Sequence, residues 1–406
     1  MTYSVKIGIS AEEHDQFVIN HPLTNILQSS SWANIKDTWG NDRIGFYEND
    51  QLVAVASVLV QPLPFGFTMI YSPRGPIMDY SNKELLAFVV ENLKKYGKKK
   101  KAVFIKCDPF ILLADHKVDE ESNEKSFGHE VIKNLTDVGA YWTGRTADLA
   151  QNIQPRFQAN IYSEGFSESA LPKKIRQNIR SSRNKGVEII FGGMDLVDDF
   201  AKLMKKTEER KHIHLRGKDY YEKLLKTYGD NAYITMARLN LNERLEQAQT
   251  ALNNALKLQK TFTEETRQSK VKATENEIKR HQKDIAFFTE KLEKEQDIVP
   301  LAATLSLNFG DTSENIYAGM DEDYKQYNAP LITWFETAQH AFEKGAKWQN
   351  MGGIENQLDG GLYQFKSKFN PMIEEFIGEF NIPVNPLLYH LSNTAYTLRK
   401  KLRSKH

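Results

Sequence analysis

The chain has 406 residues, 40% of them apolar and 26% charged, and its 54 Lys and Arg nearly cancel 53 Asp and Glu to leave a net charge of +1. Such a chain is neither peptide-sized nor disordered, and at roughly 100–200 residues per unit it divides into about two to four. The single cysteine, Cys107, excludes an intramolecular disulfide framework and a multi-cysteine zinc site, and overall charge points to no class of partner.

In chain order, Met1 to Ser10 lacks the basic start and apolar run of a signal peptide. The longest apolar stretch, Leu52–Val60, is far short of the ~20 residues that span a bilayer. The expectation is a soluble cytoplasmic protein. Ser29, Ser30 and Ser31 offer N-cap oxygens to a short helix over Trp32–Trp39. Ile44–Tyr47 and Leu52–Val60 read as strands across the polar turn Glu48-Asn49-Asp50-Gln51. Phe67–Tyr71 is a further strand, stopped by Pro73-Arg74-Gly75-Pro76. Glu84–Tyr96 has helical apolar spacing, and Ala102–Ile105 is a strand ending at Asp108-Pro109. Helices and strands interleaved in this way predict a mixed α/β layer fold.

A second unit begins near Gln154. Leu171–Lys185 reads as a basic helix closed by Gly186, Val187–Phe191 as a strand, Leu196–Glu209 as a helix and Tyr233–Leu239 as a strand. From Asp230 to Val299 there is neither glycine nor proline. Leu241, Leu245, Ala248, Leu252 and Ala255 step by 4, 3, 4 and 3 residues, and Ile278, Ile285, Phe288 and Leu292 resume the stripe after a polar stretch. Two narrow apolar seams on charged helices predict an antiparallel coiled-coil arm inserted in the second unit. A long solvated helix with no role is the plainer alternative. Strands follow over Leu301–Phe309, Asn315–Ala318 and Trp348–Gly353, with a helix over Leu331–Lys344 and an amphipathic C-terminus over Pro386–Leu402.

No Ser/His/Asp elbow, Walker loop, HExxH or zinc spacing occurs, and the turn Gln357-Leu358-Asp359-Gly360-Gly361-Leu362 fails the coenzyme A pyrophosphate pattern at its last position. His212 and His214 stand too close for a helix-borne metal pair, so no metal is expected. Basic clusters at Lys98–Lys101, on the Lys173–Lys185 helix and at Arg399–Lys405 segregate charge in a nearly neutral chain, which favours a polyanionic partner over three unrelated solvated faces. Asp108 sits at a strand end, where sites collect in α/β folds, although an Asp-Pro turn is the commoner reason for such a residue.

Taken together, Leu27-Gln28-Ser29-Ser30-Ser31-Trp32 with Lys36 and Trp39, Tyr71-Ser72-Pro73-Arg74-Gly75-Pro76, Phe104–Pro109, Gln154-Pro155-Arg156-Phe157, Thr207–Tyr221, Tyr317-Ala318-Gly319 and Gly361–Lys366 with Phe369 and Pro371 resemble the Fem/Mur (FemABX) branching-peptide aminoacyltransferases, most closely the streptococcal MurM type. The resemblance covers nearly the whole chain. It implies two acetyltransferase-like (GNAT-like) domains of α/β (α+β) class: residues 1–153 completed by the C-terminal helix 381–406, and residues 154–239 with 299–380, the arm occupying 240–298. It also implies transfer of serine or alanine from aminoacyl-tRNA to the position-three amine of the stem peptide in a lipid-linked muropeptide precursor, lipid II.

No cofactor beyond the aminoacyl-tRNA co-substrate is implied, nor any DNA, whereas a peripheral contact with the inner membrane face would suit a lipid-linked acceptor. Matched residue by residue, Lys36 and Arg216 fall on a diphosphate clamp, with Trp39 and Tyr220 lining the same pocket. Asp108 falls beside the reacting amine, and Lys366, next to Phe365, near the ester carbonyl. Met320 departs from the small polar residue common after the Tyr-Ala-Gly triplet. Aminolysis of an activated ester needs no covalent nucleophile, only an oriented amine and a fixed charge for the oxyanion. Transfer to a protein amine and a non-enzymatic coiled-coil adaptor are the competing readings.

Overall fold

Two mixed sheets carry the chain, and in each a single parallel pair interrupts otherwise antiparallel order. The structure, a computed structural model, describes residues 2–391. In the first sheet, strands Gly40–Glu48 and Gln51–Pro62 form a hairpin whose turn residues Asn49 and Asp50 have φ of 47° and 67°. Positive φ at both central positions matches the twist of the flanking strands, and Asn and Asp tolerate it best after glycine. Strand Thr68–Ser72 then runs parallel to Ala102–Cys107, with Ser72 opposite Cys107. Parallel neighbours need a crossover, supplied by helix Lys83–Lys99. Asn82 caps that helix, and Leu85, Leu86, Val89 and Leu93 form the face buried on the sheet. The last residues of the two parallel strands therefore emerge side by side.

The second sheet runs in the order Glu188–Gly192, Ala232–Asn240, Ile298–Phe309, Thr312–Met320, Trp348–Gly353, Phe157–Tyr162, Met372–Phe376, Leu112–Lys117 and Asn123–Glu124. Its parallel pair, Thr312–Met320 with Trp348–Gly353, stays paired only from Thr312↔Trp348 to Glu314↔Asn350. Beyond Glu314 the first strand keeps its other neighbour as far as Met320, with a bulge at Ile316, while the second turns toward Phe157–Tyr162. The parallel strands thus part, and an open wedge lies between them. Helix Ala329–Glu343 is their crossover and packs on the face holding Ala302, Met351 and Ile373. Helices Val197–Lys211 and Lys218–Tyr228 cover the other face.

The sheets exchange strands. Leu112–Lys117, within the residues 1–153 expected to form one unit, pairs with Met372–Phe376 of the second sheet, and Phe380–Pro383 returns to pair with Ala102–Cys107 of the first. A clean cut at residue 153 therefore does not describe the hydrogen bonding. Lys106 and Glu379 form an ion pair across this return.

Helices Leu241–Gln259 and Gln268–Leu292 form a hairpin that leaves the second sheet between two strands paired with each other at Leu239↔Val299. Leu241, Ala248 and Phe288 anchor its base in the core, while Leu245, Leu252, Ile285 and Leu292 are only half-buried. Residues 386–391 are helical, and Tyr389 stacks on Tyr141 with ring centres 5.8 Å apart. The rest of the expected C-terminal helix, with Arg399–Lys405, lies outside the described residues. Among the described residues no helix is long and apolar enough to cross a membrane.

Candidate active site

Lys36 ends the short helix Ser30–Ile35, which Ser29 caps by accepting from the Trp32 amide. Its Nζ lies 3.3 Å from the Tyr220 hydroxyl and 4.7 Å from the centre of the Trp32 ring. The Arg216 guanidinium stands 5.1 Å from the Tyr220 ring, whose other neighbour is Tyr317. Burial, then repulsion from Arg216 and Lys223, lowers the Lys36 pKa. Asp37, the nearby acid, is taken by Lys223 at 2.6 Å, so among the described residues neither Lys36 nor Arg216 has a carboxylate partner. A half-buried lysine and an exposed arginine around one tyrosine, neither with a carboxylate counter-ion, favour an incoming anion. Lys36, Arg216 and Tyr220 are thus brought together. Trp39, whose amide donates to the Lys36 carbonyl at 2.9 Å, is half-buried against the cluster of Ala33, Leu59, Met69 and Tyr71, and the ring beneath the Lys36 amine is Trp32. Trp32 and Tyr317 were visible only as motif letters, because nothing in their spacing shows which ring a lysine will lie on.

Asp108 is 1% exposed at the end of its parallel strand. One carboxylate oxygen accepts from the Tyr71 hydroxyl at 2.7 Å and the other from the Arg74 amide at 2.6 Å. Burial lifts the carboxyl to about 6, against the pull of Arg74 and these two donors. The turn that delivers Arg74 is held from beneath by Gln28, whose Nε2 donates to the Pro73 carbonyl at 2.6 Å and whose Oε1 accepts from the Ser57 amide. A Cβ at Gly75 would stand 2.5 Å from the Gln28 amide, so only glycine fits there. The separate Gln28 and Tyr71–Pro76 motifs are therefore one construction. Arg74 in turn donates to the Pro155 carbonyl at 2.9 Å and lies 4.7 Å from the Phe376 ring.

Lys366 closes the short helix Gly361–Lys366 and is buried. Its Nζ donates to the Gly353 carbonyl at 2.7 Å, at the end of the strand that has parted from its neighbour. Burial pushes the amine down to about 7, and the Glu355 charge opposes this. Glu355 itself accepts from the Leu362 and Tyr363 amides, both at 3.0 Å, and so fixes the helix that presents Lys366. Phe365 faces the Trp334 and Phe369 rings, each 5.7 Å away, and so belongs to the hydrophobic packing behind the lysine.

One strand, Thr312–Met320, links these places. Tyr317 reaches the Lys36–Arg216 end. The Asn315 carbonyl and the Lys366 amine both flank Gly352, where an added Cβ would lie 3.8 and 3.4 Å from them. Two residues of strand correspond to about 7 Å. Glu314, a residue the sequence did not single out, is buried on the same strand. Its Oε2 is 3.3 Å from Asn350 Nδ2, its Oε1 has no partner, and the Arg74 charge that acts on Asp108 also reaches it. The paired-cation end, the buried lysine and the Arg74–Asp108 turn are thus each reached from one strand, through Tyr317, the Asn315 carbonyl and Glu314 respectively.

The model of the FemAB family matches residues 9–397. A lipid II:glycine glycyltransferase of Staphylococcus epidermidis is 29% identical over 405 residues, covering 95% of this chain and 94% of that protein. Aminoacyltransferase FemB of the same species is 28% identical over 424 residues, covering 97% and 99% respectively. A crystal structure of FemX is similar with a TM-score of 0.74 at 27% identity, over 96% of this chain and 99% of that one. The matched range spans both sheets, and the chain belongs to the FemAB family.

Proposed function

We propose that this chain transfers an aminoacyl group from aminoacyl-tRNA to the side-chain amine of the stem-peptide lysine of lipid II. The observation that carries the reading is the convergence of two unlike cation sites on one strand: Lys36 with Arg216 near Tyr317, and Lys366 beside Asn315. The first suits the diphosphate of a lipid-linked precursor, since a guanidinium fork can hold two phosphate oxygens. The second suits the ester carbonyl of the donor. The acceptor amine, with an ordinary pKa of about 10.4, sheds a proton before it attacks. Carbon–nitrogen bond formation then puts negative charge on the carbonyl oxygen, which Lys366 stabilises. Collapse breaks the ester bond, and the tRNA hydroxyl leaves with a proton. Asp108, with both oxygens already engaged, orients the Tyr71–Arg74 wall of the cleft and supplies a carboxylate to the departing amine proton.

Serine or alanine as the cargo rests on the motif likeness to the streptococcal MurM type, and a glycyltransferase among the relatives makes glycine the competing outcome. The helical hairpin is read as the surface that engages the body of the tRNA. Contact with the inner membrane face would fall to the basic C-terminus. The test is incubation of the protein and a lysine-containing lipid II with tRNA charged separately with serine, alanine or glycine. One added residue on the stem lysine, found by mass spectrometry, is expected. Transfer only to a protein amine, or to nothing, would defeat the proposal.

A further inference from the structure

Glu314 is a buried carboxyl that the transfer chemistry outlined above does not use. Only one of its oxygens has a hydrogen-bond partner, the neutral amide of Asn350, and the other is buried with none. Among the described residues no lysine, arginine or histidine forms an ion pair with it; the nearest influence is Arg74, whose guanidinium is engaged by the Pro155 carbonyl and the Phe376 ring. Burying a carboxyl in this way is costly, and protein interiors seldom leave such an oxygen unsatisfied. Burial lifts its pKa to about 7, so that a cation arriving nearby would ionise it fully.

Its position says which cation. Glu314 and Asn350 are the last opposed pair before the parallel strands separate, so the carboxyl stands at the closed end of the wedge. Asn350 uses its Oδ1 to hold the Gly352 amide at 2.6 Å, and the Lys366 amine lies over Gly352. Asn350 thus bridges the Glu314 carboxyl to the backbone beneath the Lys366 amine, the group that meets the donor carbonyl, next to its α-carbon, in the functional reading above. The group on that carbon with a positive charge is the α-ammonium. The Arg74 charge acts on both buried carboxyls, Asp108 and Glu314, and one Glu314 oxygen is left with no partner at all.

We propose that Glu314 binds the α-ammonium group of the aminoacyl donor and thereby selects α-amino acyl esters over their α-hydroxy counterparts. This rests on the functional reading above. Glu314 makes no covalent step; it holds the donor so that the ester carbonyl meets Lys366.

The experiment compares alanyl-tRNA with lactyl-tRNA, made from it by deamination with nitrous acid, in the wild type and in Glu314→Gln. The two esters differ in intrinsic reactivity equally for both proteins, so the change in their ratio isolates the residue. The kcat/KM ratio of alanyl to lactyl donor is expected to fall by about tenfold or more in Glu314→Gln, through loss of the alanyl rate alone. An equal loss with both donors would make Glu314 a base or a structural group and overturn the assignment. Binding of amide-linked 3′-alanylamino-adenosine and its lactyl analogue to the wild type needs no variant. Tighter binding of the amine by about tenfold supports the assignment, and equal affinity overturns it. Absence of wild-type transfer from seryl-, alanyl- and glycyl-tRNA alike would remove the functional reading and the assignment with it, whereas transfer without discrimination between an α-amino donor and its α-hydroxy counterpart would remove the Glu314 assignment alone.

Discussion

The Lys366 amine donates to the Gly353 carbonyl over 2.7 Å where the strand ending at Gly353 has left its parallel neighbour. The bond fixes the nitrogen but not its charge, since burial brings the pKa to about 7. An oxyanion forming alongside would favour the protonated form. Lys366→Met is therefore expected to lower turnover by about 10²–10³ with little change in the KM for the precursor. Steady-state kinetics checks this, and an equal loss in binding would contradict the role.

The same shift predicts a pH dependence. The active form needs Asp108 ionised, above about 6, and Lys366 protonated, below about 7. The kcat/KM profile should rise through the first value and fall through the second. Asp108→Asn should shift the rising limb toward the higher value set by Glu314, and Lys366→Met should lose the falling one. A wild-type profile that keeps climbing from pH 6 to 9 would contradict the assignment.

Stability carries the mirror image. The folded pKa of Lys366 lies below its unfolded value, so between about 7 and 10.4 the unfolded chain binds more protons and stability rises with pH. Lys366→Met removes a buried amine and should melt above the wild type at pH 7. The gap should narrow as pH approaches 10, as thermal denaturation across that range would show.

Gly75→Ala places a methyl 2.5 Å from the Gln28 amide, which is itself tied to Ser57 and Pro73. The turn that supplies the Arg74 amide to Asp108 must then shift. A loss of about 1–3 kcal/mol in stability is expected from such overpacking, together with a marked fall in transfer. Denaturant unfolding and the transfer assay on one preparation would measure both.

Much of this was legible in the sequence where periodicity was strong. The two-helix arm was readable because its apolar spacing repeats over many residues and no glycine or proline interrupts it, and the strand Trp348–Gly353 because two glycines mark its exit. The exchange of Leu112–Lys117 and Phe380–Pro383 between sheets was not, because strand pairing over such separations leaves no local trace. Among the site residues, motif likeness brought Lys36, Arg216 and Tyr220 to one place, but it did not single out Trp32 as the ring beneath the Lys36 amine. Glu314 looked like an ordinary polar residue next to Ser313. Only the parting of the strands makes its burial meaningful.

Lys36→Ala and Arg216→Ala are expected to raise the KM for lipid II by about tenfold or more each, with kcat nearly unchanged, and Arg216→Lys should restore little because a lysine lacks the planar fork. An unchanged KM in either alanine variant would remove the clamp.

The most direct trial of the cleft uses two acceptors, lipid II and the same muropeptide stripped of its diphosphate. Wild type should prefer the first by about a hundredfold in kcat/KM, and the double variant Lys36→Ala/Arg216→Ala should lose most of that preference while still modifying the stem lysine. Equal use of both acceptors by the wild type, or a preference untouched by removing the two cations, would contradict it.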